Sequence, residues 1–342
     1  MMKGAQRVLL ETMIDRSLRG LQEDPHRELR KLVDLADTLM TSPAQKHYSQ
    51  LVQELLANES SPYYILGTSL VQHTSRENLK CVGVNVGYES WCRGAKLIRQ
   101  LESEYGHNVP WTLVFEAGKG GAALPRERLT AILAQARQMG IHTFVFRVLP
   151  GGIDLRTVLS LSNRFEDCAF VLITRAGDLS ADADVRLSMH PNCITFLQAE
   201  ATCAAEEMIT RLRRRKVLYA LWAPYDAARA DALTAPGAME AAAQTASDAD
   251  APLLLLCAEP GCTPEQCRAV GQAASAARMA PTLPVLPVDL YTDLLLVDRT
   301  ISSGGCLAQI WPDGRVAING TPAKKNLAAH TLRAVLADSS PL

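Results

Sequence analysis

The sequence lacks any run approaching the ~18 consecutive apolar residues of a membrane-spanning helix. It lacks a secretory leader as well: "MMKGAQRVLLETMIDRSLRGL" carries charge throughout and reads as an amphipathic helix. The expected location is therefore cytoplasmic. No excess of either charge is present, since 35 Lys and Arg stand against 36 Asp and Glu, for a net charge of −1. Such a balance gives no global field toward nucleic acid or an anionic membrane. His73, His107, His142, His190 and His330 make no i, i+4 metal-ligand pair, and no Walker A loop, nucleophile elbow or zinc-finger spacing occurs. The nine cysteines, at 81, 92, 168, 193, 203, 257, 262, 267 and 306, are odd in number and scattered. This is not a disulfide framework, and most are expected to sit as small hydrophobes inside helices and strands.

What is present fits a soluble α/β protein. Hydrophobic residues make up 48% and charged residues 21% of 342, enough for one large domain with additions or two small ones. One basic run, Arg211 to Lys216, falls at the end of an expected helix. Cations there suit the helix dipole; a phosphate or partner patch is the other reading.

The first 105 residues have helical periodicity, with Leu9, Leu10, Met13, Ile14, Leu18 and Leu21 on one stretch and Leu29, Leu32, Val33, Leu35, Ala36 and Leu39 on the next. Asp24-Pro25 is a helix start. From residue 108 the pattern alternates. Strand-like apolar runs fall at 112–117, 142–149, 169–176, 194–201, 217–223 and 252–258, with helical stretches at about 124–139, 154–165, 181–189, 203–215, 226–247 and 263–279. Runs apolar on both faces, joined by crossover helices, indicate a parallel sheet, and six units give an open or partial (β/α) barrel. An unbroken eight-unit barrel would need two more units. The tail reads as a hairpin around Pro312-Asp313-Gly314 and a final helix at about 324–337.

The order of these pieces resembles a radical S-adenosylmethionine (SAM) protein of the SPASM-like subgroup, which has a helical N-terminal extension and a cysteine-containing tail. "LQEDPHRELRKLVDLAD" is similar to the extension, "EYGHNVPWTLVF" to the approach to the first strand, and "FEDCAFVLIT" to the run into the third. "TPEQCRAV", Thr263 to Val270, is similar to a stretch after the sixth strand, and "LPVDLYTDLLLVDRTISSGGCLAQIWPDGRVAIN" to the tail. The resemblance implies a partial (β/α)6 TIM-like barrel over 108–282, with the helical extension over 1–107 and a SPASM-like tail over 283–342.

The sequence departs from that pattern at each cofactor contact. The family's first loop carries C-x-x-x-C-x-x-C, whose thiolates hold a [4Fe–4S] cluster; here the segment from Glu116 to Ala123, "EAGKGGAA", has no cysteine. Upstream, "ENLKCVGVN" (77–85) mimics the motif with the single thiol Cys81. Cys257, Cys262 and Cys267 are spaced x4/x4, and the last two would stand about 140° apart on one helix. The family's Gly-Gly-Glu-Pro falls on Val148-Leu149-Pro150-Gly151, or, in a shifted register, on Gly151-Gly152-Ile153-Asp154, without the glutamate. Its Thr-Asn-Gly falls on Thr174-Arg175-Ala176, and the second tail cysteine falls near Asn319-Gly320. The expectation is a degenerate fold with neither cluster nor SAM as cofactor and no metal.

The strand ends still offer a polar and aromatic set. Glu116 and Lys119 are the candidate catalytic pair, the lysine as a Schiff-base former and the glutamate as acid or base. Arg147, Arg175, Gln198, Glu200, Trp222, Tyr225 and Glu259 are candidate ligand contacts, the two arginines able to clamp a carboxylate or phosphate. The loop Gly118 to Gly121 reads either as a tight turn or as an anion cradle. Three functional readings follow. The first is a non-catalytic pseudoenzyme that binds a protein partner, such as an intact radical-SAM homologue, or a small ligand. The second is a cluster-independent enzyme using Glu116, Lys119, Arg147 and Arg175. The third is a radical-SAM enzyme with unconventional cluster ligands.

Overall fold

The computed structural model describes residues 4–118, 123–302 and 304–339. Six α-helices open the chain: α1 (Ala5–Gly20), α2 (Pro25–Leu39), α3 (Pro43–Ala57), α4 (Pro62–His73), α5 (Arg76–Gly83) and α6 (Ala95–Tyr105). Proline occupies the first turn of α2, α3 and α4, where its missing N–H costs no helical hydrogen bond. The Asp24 carboxylate accepts from Arg27 N, as the Asp24-Pro25 signal predicts. Between α5 and α6 the backbone winds as a π-helix over Val84–Gly94.

The β/α alternation then runs β1 (Thr112–Phe115), α7 (Arg126–Gln138), β2 (Thr143–Arg147), α8 (Leu155–Arg164), β3 (Ala169–Thr174), α9 (Ala183–Ser188), β4 (Cys193–Gln198), α10 (Cys203–Arg214), β5 (Tyr219–Tyr225), α11 (Ala227–Leu233), α12 (Ala238–Asp248), β6 (Leu253–Ala258) and α13 (Pro264–Met279). The chain ends with β7 (Leu286–Asp289), α14 (Leu290–Ile301), β8 (Ala308–Ile310), β9 (Val316–Ile318), β10 (Thr321–Pro322) and α15 (Leu332–Ser339).

All ten strands form one sheet, ordered β10-β9-β8-β1-β2-β3-β4-β5-β6-β7. From β8 to β7 every pairing is parallel, while β9 and β10 are antiparallel additions. The six expected strands are neighbours in sequence order. Two further parallel strands, β7 and β8, come from the tail and extend both edges. A single helix expected over 226–247 is broken between α11 and α12, where Pro236 cannot continue it and Gly237 takes φ +76°. The final helix begins at Leu332 rather than near 324, because Asn326 folds the preceding segment into a turn, donating to Asp313 O and accepting from Ala328 N.

Side-chain alternation divides the sheet into two faces. Phe115, Phe144, Phe146, Phe170, Leu172 and Leu221 belong to the large core shared with the crossover helices. Val114, Val145, Ile173, Phe196, Trp222 and Cys257 form a smaller core on the opposite face. There Leu290, Tyr291, Leu294 and Leu295 of α14 pack against the sheet.

The N-terminal helices are tied to the starting ends of the strands. Asn78 Nδ2 donates to Pro191 O (2.7 Å) and Cys193 O (3.0 Å) below β4, and its Oδ1 accepts from Leu218 N (2.7 Å) below β5. Asn85, seven residues on, donates to Glu166 O and Cys168 O (2.9 Å each) below β3. Its Oδ1 accepts from Arg7 Nη2 at 2.8 Å. Both lie in "ENLKCVGVN", so the segment that mimics a cysteine motif is a backbone clamp. Gly94 meets Gly140 so closely that a Cβ at Gly94 would stand 2.3 Å from Gly140 O. Three cations of the basic run pair within the chain: Arg211 and Arg215 with Asp184, and Arg213 with Asp250.

Asp298, 2% exposed on α14, closes the start of β1 by accepting from Trp111 N (2.7 Å) and Cys306 N (2.6 Å). Burial pushes its carboxyl up to about 7; the two backbone donors oppose this, and the Glu102 carboxylate adds to it. A carboxyl raised above its unfolded value of ~3.9 stabilises the protonated fold, and that stability is lost as pH rises through the folded value. Unfolding free energy is therefore expected to fall by roughly 3–4 kcal/mol at this site between about pH 4 and pH 7. Denaturant titrations across that range should show the slope in the wild type and a flatter profile in Asp298→Asn.

Candidate functional site

Residues two apart on a strand share a face, so the smaller core carries its parity to the ends of the strands. Glu116 follows Val114, Arg147 follows Val145, and Gln198 follows Phe196; Trp222, Cys257 and Gln309 share that side with Ala220, Leu255 and Leu307. The side chains that meet there come from the residue after β1 and from β2, β5, β8 and α14.

Glu116 is the centre of this group and is 6% exposed. Its Oε1 accepts from Tyr291 Oη at 2.8 Å and from Gln309 Nε2 at 2.9 Å, and its Oε2 faces Arg147 Nη1 at 3.7 Å. Arg147 Nη1 also donates to Tyr291 Oη at 3.1 Å, and its guanidinium carbon lies 5.8 Å from the centroid of the Trp222 ring. The Trp222 indole N–H is satisfied by Thr174 O at 2.7 Å.

Desolvation pulls the Arg147 pKa down, but the Tyr291, Cys257 and Glu116 groups outweigh it and the guanidinium is held more firmly protonated than usual. Burial, reinforced by the Glu116 carboxylate, pushes the Tyr291 phenol well above its ordinary range. Burial also pushes the Cys257 thiol up to about 12. At neutral pH the group therefore contains a firm cation, an un-ionised phenol and an un-ionised thiol. Neither the phenol nor the thiol is poised as a base or nucleophile.

The other sequence-predicted residues are spread around this centre. Arg175 and Gln198 pair at the solvent-facing rim, Nε to Oε1 at 2.9 Å. Glu200 and Glu259 are exposed. Tyr225 has the opposite parity to Trp222 and points to the other face, where its Oη donates to Asp289 Oδ2 at 2.7 Å. Burial and then the Asp289 carboxylate hold that phenol protonated. Lys119 lies outside the described residues, as does most of the glycine loop. Gly118, at its start, donates N–H to Gly151 O at 3.1 Å, and Leu124, past its end, donates to Pro312 O at 2.6 Å. The loops after β1 and β2 thus touch over the strand ends.

Tyr291 and Gln309 escape the sequence reading. The signal available for Tyr291 is a helix start, Asp289 capping Thr292 N with Leu290, Leu294 and Leu295 at helical spacing behind it. Gln309 has no local signal. Two cavities of about 430 and 440 Å³ lie elsewhere, one between α2, α4 and the approach to β6, the other between α2 and α3.

Two residues singled out by the sequence resemblance make hydrogen bonds within the chain. Asp154, at the end of the shifted Gly-Gly register, caps α8 by accepting from Thr157 N at 3.0 Å. Asn319, near the second tail-cysteine position, accepts from Leu307 N (2.8 Å) and donates to Gly305 O (2.7 Å), flanking Cys306. Among the described residues no three His, Cys, Asp or Glu side chains converge in a metal-ligating arrangement. No helix among them is long and apolar enough to cross a membrane.

No protein-family model matches the chain, and no curated protein matches it. Among solved structures it is similar to SuiB of Streptococcus suis bound to S-adenosylmethionine, at 12% identity and a TM-score of 0.48, over 70% of this chain and 66% of that one. SuiB bound to the precursor peptide SuiA gives 12% identity and 0.49, over 70% and 67%. A further SuiB structure gives 11% and 0.49, over 70% and 68%.

Proposed function

We propose that this chain is a cluster-free relative of the radical-SAM proteins, a non-catalytic scaffold whose ligand is a protein partner. The observation that carries the reading is the occupied strand-end face. Tyr291 and Gln309, both from the C-terminal part of the chain, fill the Glu116 carboxylate and take the room beside Arg147. The sequence order of β1 to β7 in the parallel sheet supports a partial (β/α) barrel of that type.

The residues present do not fit the family's cofactors. A [4Fe–4S] cluster needs converging thiolates. Residues 115–124 supply none, Cys257 faces α14 inside the smaller core, and Cys262 and Cys267 lie around the start of α13. The SAM amino group needs a carboxylate after β2, and the nearest, Asp154, is committed to a helix cap. No step is routed through either group.

With the inner group closed, binding falls to the rim of exposed Arg175, Glu200 and Glu259 and half-buried Gln198, polar side chains suited to a protein surface. An intact radical-SAM homologue is the partner proposed, by analogy with duplicated pairs in which one copy loses its cofactor residues. Co-expression with an intact homologue encoded nearby tests this. A stoichiometric complex in gel filtration that weakens about tenfold or more in Arg175→Glu is the expected result. Two separate species, or saturable SAM binding by the isolated chain, would overturn the proposal.

A further inference from the structure

The sequence places Cys262 and Cys267 five residues apart, a spacing that separates two helical side chains. The structure takes Cys262 out of the helix. Thr263 is the N-cap of α13 and forms a complete capping box with Gln266: Gln266 N donates to Thr263 Oγ1 at 3.2 Å, and Thr263 N donates to Gln266 Oε1 at 3.1 Å. Cys262 is therefore the residue before the cap and Cys267 the fourth helical residue. These are the two positions that a hydrophobic staple brings together across a capping box. Here both staple residues are thiols.

The surroundings hold the pair in place. Cys262 Sγ donates to Tyr225 O at 3.4 Å, and the same carbonyl accepts from Glu259 N at 2.8 Å, so the turn is anchored to the end of β5. Cys267 N donates to Thr263 O at 3.0 Å, in the first turn of α13. Both thiols are half-buried and so within reach of a small oxidant, as are Cys81 and Cys92, whereas Cys168, Cys193, Cys257 and Cys306 are buried.

We propose that Cys262 and Cys267 are a modification site, a vicinal dithiol that a hydroperoxide converts to an intrachain disulfide. The Cys262 thiolate attacks the terminal peroxide oxygen. The O–O bond breaks, an alcohol leaves, and Cys262 becomes a sulfenic acid. The Cys267 thiolate then attacks the Cys262 sulfur and displaces hydroxide, which leaves as water. Two thiols lose two electrons and the peroxide gains them. The bridge closes over the capping box and removes the S–H donor from Tyr225 O, so oxidation acts on the residue whose phenol holds Asp289, the cap of α14.

Burial raises both thiols above their ordinary value, so the thiolate is a minor species at neutral pH. The rate of bridge formation is expected to rise about tenfold per pH unit through the neutral range.

The experiment uses the full chain carrying Cys203→Ser, which removes the exposed competing thiol. It is treated with hydrogen peroxide and alkylated under denaturing conditions, with peptide mapping by mass spectrometry. The expected result is loss of two thiols, recovered by dithiothreitol, and a peptide linked through 262 and 267. With Cys267→Ser added, dimedone should label Cys262 and no link should form. A protein that keeps all its thiols, a link through another pair, or dimedone labelling that persists with Cys262→Ser in place of Cys267→Ser would overturn the proposal.

Discussion

Arg147→Met should destabilise the protein by about 3–5 kcal/mol, and adding Glu116→Gln should restore more than half of that loss. The two side chains are 16% and 8% exposed, so water does little to screen them. Removing the guanidinium leaves the Glu116 carboxylate buried, with Tyr291 and Gln309 as its remaining side-chain donors among the described residues. It also removes the cation from the face of Trp222. Replacing a buried ion pair as a unit is far cheaper than breaking it. The neutral amide introduced by Glu116→Gln can still accept from Tyr291 through its carbonyl oxygen. A double-mutant cycle measured by chemical denaturation gives the coupling, which is expected to be at least about 2 kcal/mol. Additive losses would mean that Glu116 and Arg147 do not act as one unit. The same cycle separates closure from catalysis, because a group retained for chemistry on a substrate has no need to be strongly coupled in the free protein.

Asn78→Ala should cost a comparable amount, about 3–5 kcal/mol. One amide here satisfies three backbone groups, Pro191 O, Cys193 O and Leu218 N, from two neighbouring strand starts. Each buried group left without a partner costs about 1–3 kcal/mol. Asn78→Asp keeps an acceptor for Leu218 N but sets a carboxylate against two carbonyl oxygens, so it should be no better than alanine. Denaturation midpoints check the size of the effect. Hydrogen exchange at Leu218 checks its place: that amide should lose protection first in Asn78→Ala and keep more of it in Asn78→Asp, which retains its acceptor. Loss of less than about 1 kcal/mol would show that the helices do not clamp the strand starts.

Much of the fold is legible in the residues. Val, Ile, Leu and Phe dominate the six runs from β1 to β6, the pattern of strands buried on both faces. Asp24-Pro25 and Thr263-Pro264 mark helix starts by short-range chemistry that sequence shows directly. Legibility fails where structure depends on distant partners. β7 is four residues long with Pro284 just before it and Pro287 within it, too short for a period to register. β8 is part of the main sheet only because it pairs with β1, far upstream in the sequence.

The same limit governs the candidate site. Glu116 and Arg147 are legible because they stand at the ends of recognisable strands. Tyr291 and Gln309 are not, because they reach Glu116 across 175 and 193 residues. Trp222 and Tyr225 look equivalent in "WAPY", yet their odd separation sends them to opposite faces of the sheet. A separation of about 140° between Cys262 and Cys267 holds only if both are helical. The capping box removes that condition.

We propose that the strand-end face around Glu116 is filled by the chain's own side chains and lacks the thiolates for a cluster. Anaerobic reconstitution with ferrous iron and sulfide, followed by desalting and iron analysis, tests it most directly. No stoichiometric iron is expected, in the wild type and in Tyr291→Ala alike, because opening the face does not supply thiolates. About four irons per chain, retained through desalting with matching sulfide, would contradict the claim.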